Sequence, residues 1–426
     1  MCFKNMNKNN QKIENLFLDI ILFIFFLISL VPFHALTHIR ILNLPLHYLI
    51  GGISVGIISA VIWFYQQKKI TFFDKWLFIL ILSFSLSLIT SVDRLYTLWT
   101  IASFFIRGIG VAFIASRIIK TSIDREKAIS ILIFVGTVVS LIGIAEFLLH
   151  RNPLYHELFF NRVRYYTILG GGGISSTFGH YLPLGVYLVL LLPVSVYFWQ
   201  ENRYFYSVIP FVSIFSAIIL TFSRSAWISG ILCLIIYFLC KENFRIIKKT
   251  ILVCLMIIIL PFLFSSSARQ IFFAKFNPGT FKIELLDSHR TASYLTTWNI
   301  LKKYPFFGVG LGNYPKVHKV YKAEKALLEY DTPDNMYLRL ISETGIVGIL
   351  TFLGFFIFVI RQILLNIQFY KNTTEGNLFR AFFSGIIGFL LNLIVGDFFY
   401  WLAPQFLFWF MLGIGVGIKG SSCEDG

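Results

Sequence analysis

The chain puts polar groups at a few points where the surrounding apolar sequence gives them little to do. In "EYDTPDNMYLRLISETGIVGIL" (residues 329–350), Asp331, Pro333, Asp334 and Asn335 stand directly before a long apolar run. A plain connector needs no such collar, so it is either a helix cap or a site. Thr332-Pro333 has the form of an N-cap followed by proline at the first helical position. That places Asp334 in the first turn, where a carboxylate complements the positive end of the helix. Asn335, Arg339 and Glu343 follow at intervals of four and share one helix face. A polar face on a helix entering lipid must look into a cavity or at a partner, and Arg339–Glu343 reads as a structural pair.

Two further arginines are costly where they stand. Arg224, in "TFSRSAW" (221–227), lies between two apolar runs joined by a very short turn. It either binds an anion or snorkels at an interface. Arg107, in "SFFIRGIGVAF", is near the middle of an apolar run. A central arginine costs about 2.5–3.5 kcal/mol to insert, so it faces the bundle interior as a substrate contact or an ion pair. Glu146 and Asp397 are candidate partners for it.

The elements that must hold these residues are membrane-grade. The chain has 426 residues, 57% of them hydrophobic, 14% charged, and 48 of them Phe. A soluble core has no use for that much apolar surface, whereas a bilayer does. Crossing the ~30 Å hydrocarbon layer takes about 20 apolar residues. Runs of that kind fall at roughly 13–33, 46–66, 73–90, 97–118, 128–149, 181–199, 204–222, 226–240, 250–266, 336–360, 376–396 and 402–418. The expectation is therefore an all-α, polytopic helical membrane protein of about twelve transmembrane helices, with residues 1–426 forming a single integral membrane domain. The first run follows about a dozen polar residues and has no small-residue cleavage site, so it is expected to be retained.

Lys4, Lys8 and Lys12, then Lys68, Lys69 and Lys75, then Arg117, Lys120, Arg125 and Lys127, then Lys241, Arg245, Lys248 and Lys249 occupy one set of loops. The alternate loops hold far fewer basic residues, which predicts that both termini are cytoplasmic. The net charge of +16 is then partly a topology signal and calls for no nucleic acid. No outer loop carries a cysteine, so no disulfide is expected.

The loop 267–335 is assigned to the outer face and is too long for a passive connector. "LDSHRTASYLTTWNILKKYP" opens on a Ser/Asp cap signal and closes at Pro305 and the glycines of "GVGLGN". "YPKVHKVYKAEKALLEY" starts at Pro315, and its lysines Lys316, Lys319, Lys322 and Lys325 give a broad basic side suited to lipid headgroups or to an anionic substrate. "GVGLGN" lacks the spacing of a dinucleotide loop and reads as a turn between helices.

Taken in order, "TFSRSAW", "HRTASYLTTWNILKKYPFFGVGLGN" and "DNMYLRLISETGIVG" resemble the O-antigen ligase/O-antigen polymerase family of membrane glycosyltransferases. The motif region covers roughly residues 205–355. The resemblance implies transfer of a glycan from a polyprenyl-pyrophosphate carrier, on the outer face of the cytoplasmic membrane, to a glycan or lipid-linked acceptor. It implies pyrophosphate-binding arginines at Arg224 and Arg290; Asn335 and Arg107, read from their positions, are further candidate substrate contacts. It places the family's essential histidine at Asp334, so this chain has "PDN" where ligases have His-Asn. It implies no cofactor and no metal, and no DxD-like signature lies in the assigned outer loops. "SVDR" (91–94) and "STFGHYLPLG" (176–185) also resemble outer-loop positions of the family.

The chemistry suits the residues. A glycosyl pyrophosphate already has a good leaving group, so the enzyme must neutralise its charge and activate an acceptor hydroxyl. Arginines fork onto phosphate oxygens and stay charged in a low dielectric. A carboxylate can take the hydroxyl proton, which makes Asp334 the candidate base; His180, His289 and His318 are alternatives. The rival reading is a polytopic transporter or lipid-linked oligosaccharide flippase, which would suit twelve spans, Arg107 and Asp397. The two halves of the sequence show no convincing repeat, and a transporter does not require one long loop before the tenth run.

Overall fold

A computed structural model describes residues 2–30, 40–41, 44–45, 70–102, 106–149, 173–202, 204–239, 248–255, 288–322 and 332–417. Among the described residues the fold is all-helical apart from a short antiparallel pairing, Arg40–Ile41 against Leu44–Pro45. In chain order the helices used below are α1 (Cys2–Leu30), α2 (Phe72–Ser85), α3 (Arg94–Thr100), α4 (Ile106–Ile118), α5 (Ser122–Leu149), α6 (Tyr181–Glu201), α7 (Ile209–Leu220), α8 (Arg224–Leu239), α9 (Ser288–Lys303), α10 (Tyr314–Tyr321), α11 (Met336–Phe369), α12 (Thr374–Asn392) and α13 (Leu402–Val416).

Three of these, α5, α6 and α11, are long and apolar enough to cross a membrane. The apolar stretches Asn15–Leu30, Gly108–Ile118, Phe205–Leu220, Arg224–Leu239 and Leu402–Val416 are shorter. Within the run expected at 97–118 lie α3 and α4, and residues 103–105 are outside the described residues. The run at 46–66 lies outside the described residues, as does most of the run at 250–266.

A helix that is apolar on every side belongs inside, and α6 takes that position. Its residues from Pro183 to Val196 are all buried, and it packs against α5, α7, α8, α12 and α13. The abundant phenylalanine fills the space between α11, α12 and α13. Phe352, Phe355, Phe356, Phe389, Phe399 and Phe408 surround Trp409, with ring centroids 4.4 to 6.4 Å apart along the cluster. Such offset and edge-on pairs contribute beyond their buried area. They fix the inner part of α11, the helix whose start Asp334 precedes.

Candidate functional site

The collar before α11 folds differently from the expectation. Asn335, not Thr332, is the N-cap: its Oδ1 accepts from the backbone N–H of Tyr337 at 2.9 Å and of Leu338 at 3.1 Å. Pro333 therefore lies outside the helix, and Asp334 is not in the first turn. Asp334 instead takes a left-handed backbone conformation, φ 46°, which Asp tolerates better than most side chains do. Thr332 Oγ1 donates to Asp334 Oδ1 at 3.3 Å. The cause of the shift is tertiary. The first helical N–H, that of Met336, is held by the carbonyl of Leu393 at 2.8 Å, and the chain must turn at Asp334 to reach it.

Below the cap, four side chains close a buried cluster. Arg339 Nε donates to Glu343 Oε1 at 3.1 Å, and Arg339 also pairs with Asp397. Its guanidinium carbon lies 3.5 Å from the Tyr400 ring centroid, and the Tyr400 hydroxyl donates to Glu343 Oε2 at 3.0 Å. Glu343 is fully buried and also accepts the Tyr314 N–H at 3.2 Å. The Arg339–Glu343 pair expected from spacing is present. Asp397, considered as a partner for Arg107, is committed to Arg339. Glu146 accepts from the backbone N–H groups of Ser175 and Ser176 at 2.9 and 2.7 Å. Arg107 falls in α4, and its side chain lies outside the described residues.

The "GVGLGN" segment does more than turn. α11 breaks at Gly345 (φ 66°, ψ −167°), leaving carbonyls and N–H groups without helical partners. Residues 305–310 supply them. Val309 N–H binds the Ser342 carbonyl at 3.0 Å and Gly310 N–H binds that of Glu343 at 2.9 Å. In return Ile346 and Val347 donate to the carbonyls of Pro305 and Phe306, at 2.9 and 3.2 Å. The approach is so close that a Cβ on Gly308 would stand 2.4 Å from the Glu343 carbonyl carbon, and one on Gly345 would stand 2.3 Å from that of Phe306.

The "SVDR" stretch clamps the same loop from the other side. Val92 N–H binds the Val309 carbonyl at 3.1 Å, and buried Asn313 donates to Ser91 Oγ and Thr97 Oγ1 at 3.0 and 2.8 Å. The Lys316 ammonium, hydrogen-bonded to Asp93 at 2.5 Å, holds that carboxyl below its ordinary value.

These contacts bring three of the candidates to one end of the bundle. α8 begins at Arg224, and five residues on Ser229 Oγ accepts from Asn392 at the end of α12 at 2.7 Å. Leu393, the next residue, holds Met336. Arg224 and Asp334 thus both lie beyond the end of α12. α9 touches α11 at Thr297–Ser342, 3.3 Å, and the chain two residues past its end meets α11 where Ile346 donates to the Pro305 carbonyl. The two helices therefore run in the same sense. Arg290 is seven residues before the first contact and Asp334 eight before it, so both precede it at the same end. The Arg290 side chain itself lies outside the described residues. Asp334 is close enough to Tyr314 to raise its phenol electrostatically, although burial is the main reason that group is pushed up to about 12.

The alternative histidines are differently occupied. His180 caps α6, its Nδ1 accepting from Leu182 N–H at 3.2 Å, and burial lowers its pKa to about 4. A neutral ring in that tautomer keeps its proton on Nε2 and has no lone pair left for a hydroxyl. His318 is buried against the Tyr314 ring, with Nδ1 2.8 Å from the Pro315 carbonyl. His289 lies in the first turn of α9, and its side chain is outside the described residues.

Residues 209–353 match the family model of O-antigen ligase. The match is a partial one. It spans 145 of the 426 residues, and Arg224, Arg290, Asp334 and Asn335 lie within it, whereas Arg107 does not. No curated protein matches this chain. The matched segment opens on α7 and closes just past the Gly345 break. Its boundaries thus enclose both partners of the interlock between 305–310 and α11. The match and the apolar helices together support a membrane enzyme of O-antigen ligase or polymerase type. The interlock and Tyr400 were not anticipated from sequence. A glycine inside an apolar helical run, as in "ETGIVG", was the available signal for close backbone approach.

Proposed function

We propose that this protein is a multi-pass cytoplasmic-membrane glycosyltransferase, acting on the outer face, with both termini cytoplasmic. It moves a glycan from a polyprenyl-pyrophosphate carrier to an acceptor hydroxyl. Arg224 and Arg290 hold the pyrophosphate. Both stand in the first turn of a helix, where the unpaired N–H groups add to the positive potential seen by an anion. Asp334 takes the acceptor's proton, the freed oxygen attacks the anomeric carbon, and the bond from that carbon to the pyrophosphate breaks. The polyprenyl pyrophosphate departs with the bonding electrons, and its charge is met by the two guanidinium groups. Asn335 is spent on its cap through Oδ1, which leaves the amide nitrogen to face a sugar hydroxyl.

One observation supports the reading most: within the ligase match, the cap belongs to Asn335, so the half-buried Asp334 is held in a left-handed turn with no helix to cap. The test is reconstitution of the full chain in proteoliposomes with a labelled polyprenyl-pyrophosphate glycan and a hydroxyl acceptor. Acceptor-linked label appearing together with free polyprenyl pyrophosphate is expected. Movement of intact donor across the bilayer with no transfer would replace this reading with that of a flippase.

A further inference from the structure

Helix α9 buries three hydroxyls beside Ala292 and Ile300: Ser293, Thr296 and Thr297 are only 5%, 4% and 3% exposed. Its outward side carries Tyr294, Leu295 and Trp298 at 54%, 46% and 58% exposed. Water would favour the reverse, since each large apolar side chain gains about 1.5–3 kcal/mol on burial. A contiguous apolar surface of this kind marks a contact with something other than water.

The continuation of the patch identifies that contact. Beyond α9, Phe306 is 64% exposed, and its carbonyl is bound by Val347. From there Ile346, Leu350, Leu353 and Ile357 run down α11, exposed at spacings of four, three and four. α11 is long and apolar enough to span a membrane, so this stripe faces lipid, and the face of α9 extends it at the end where Asp334 lies. Tyr and Trp are the side chains that populate the headgroup level. Lys302 lies 5.9 Å from the Trp298 ring centroid, and Lys303 lies 5.7 and 5.5 Å from those of Tyr304 and Tyr321. These ammonium groups ride on apolar bodies within reach of lipid phosphate.

We infer that α9 is an interfacial helix, its Tyr294, Leu295, Trp298 and Phe306 face seated at the headgroup–acyl boundary of the bilayer, with phospholipid as its partner. The inference rests on the membrane reading and not on the transfer reaction. The test replaces the five native cysteines, places a nitroxide at Leu295, Trp298 or Lys319, and holds the full chain in phosphatidylglycerol–phosphatidylcholine nanodiscs. Oxygen, which concentrates in lipid, should collide more often than a water-soluble nickel chelate at 295 and 298, with the order reversed at 319. Chelate access at 295 and 298 equal to that at 319 would make the face aqueous and overturn the inference. Exclusion of both reagents there would mean a protein covers the face, and would overturn it equally.

Discussion

Replacing Asp334 by Asn removes a proton acceptor and disturbs little else. The left-handed turn at φ 46° suits Asn as well as Asp. The contact from Thr332 Oγ1 survives, because an amide oxygen accepts as a carboxylate does. The helix loses no cap, because Asn335 provides it. The loss of its negative charge beside the helix start costs about 0.3–1 kcal/mol. If Asp334 is the base, turnover falls by a factor of about 10² to 10⁴, equal to about 2.7–5.4 kcal/mol of barrier at 1.36 kcal/mol per tenfold. The two magnitudes do not overlap. The assay is glycan transfer in proteoliposomes beside thermal unfolding of the same preparation. Loss of transfer with an almost unchanged melting point is expected; wild-type transfer by Asp334→Asn would end the base assignment. Asp334→His should keep part of the activity with a shifted pH profile, since His also tolerates this backbone region and can accept a proton near neutral pH.

Arg224→Lys and Arg290→Lys keep the charge but lose the planar fork; both should cut transfer severely with normal insertion, and near-normal transfer in both would return them to interfacial anchors. Cysteines placed at Lys316 and Lys248 should react with an impermeant reagent in intact cells only at 316, and labelling at 248 would reverse the orientation. Gly345→Ala should destabilise the protein by on the order of 3 kcal/mol or more, since Gly345 sits in a backbone region essentially closed to L-residues and a Cβ would meet Phe306. Gly230→Ala, whose Cβ would find its nearest neighbour at an ordinary 3.5 Å inside α8, should raise stability by up to about 1 kcal/mol. A detergent melt compares the two, and equal shifts would remove the interlock from the account.

Several apolar runs were legible because little except burial decides them. The expectations 128–149, 181–199 and 402–418 meet α5, α6 and α13 closely, differing mainly where α5 continues outward over the polar turn at Ser122–Lys127. The helix over "SHRTASYLTTWNILKK" and its stop before Pro305 were equally readable, since local signals fix them. Two features were not local. Thr332-Pro333 and Asp334-Asn335 are both acceptable starts, and a contact with Leu393, sixty residues on, selects the second. The Gly345 break needs a distant segment to satisfy its backbone, and no pattern within residues 336–360 says that residues 305–310 will do so. Of the site, charge type and order were readable. The arrangement of Arg339, Glu343, Asp397 and Tyr400 was not, because it joins α11 to the chain after α12.

That cluster also separates two jobs that arginine can do. Arg339 is buried between two carboxylates and under an aromatic ring, so an arriving pyrophosphate would have to displace both. Breaking such a buried pair costs about 3–5 kcal/mol, more than a further phosphate contact returns. Arg339 is therefore scaffold. Arg224 stands half-exposed at the first turn of its helix, where solvent and an arriving anion can reach it. The scaffold in turn makes the reactive end dependable. The Asn335 cap, the Leu393 carbonyl, the buried cluster and the Gly345 interlock fix α11 at its start, its second turn and its third. Asp334 is one residue ahead of the first of these. On the proposed reading, a base held that close to a fixed helix start needs no support from the lipid side, which stays open to lipid-linked substrates.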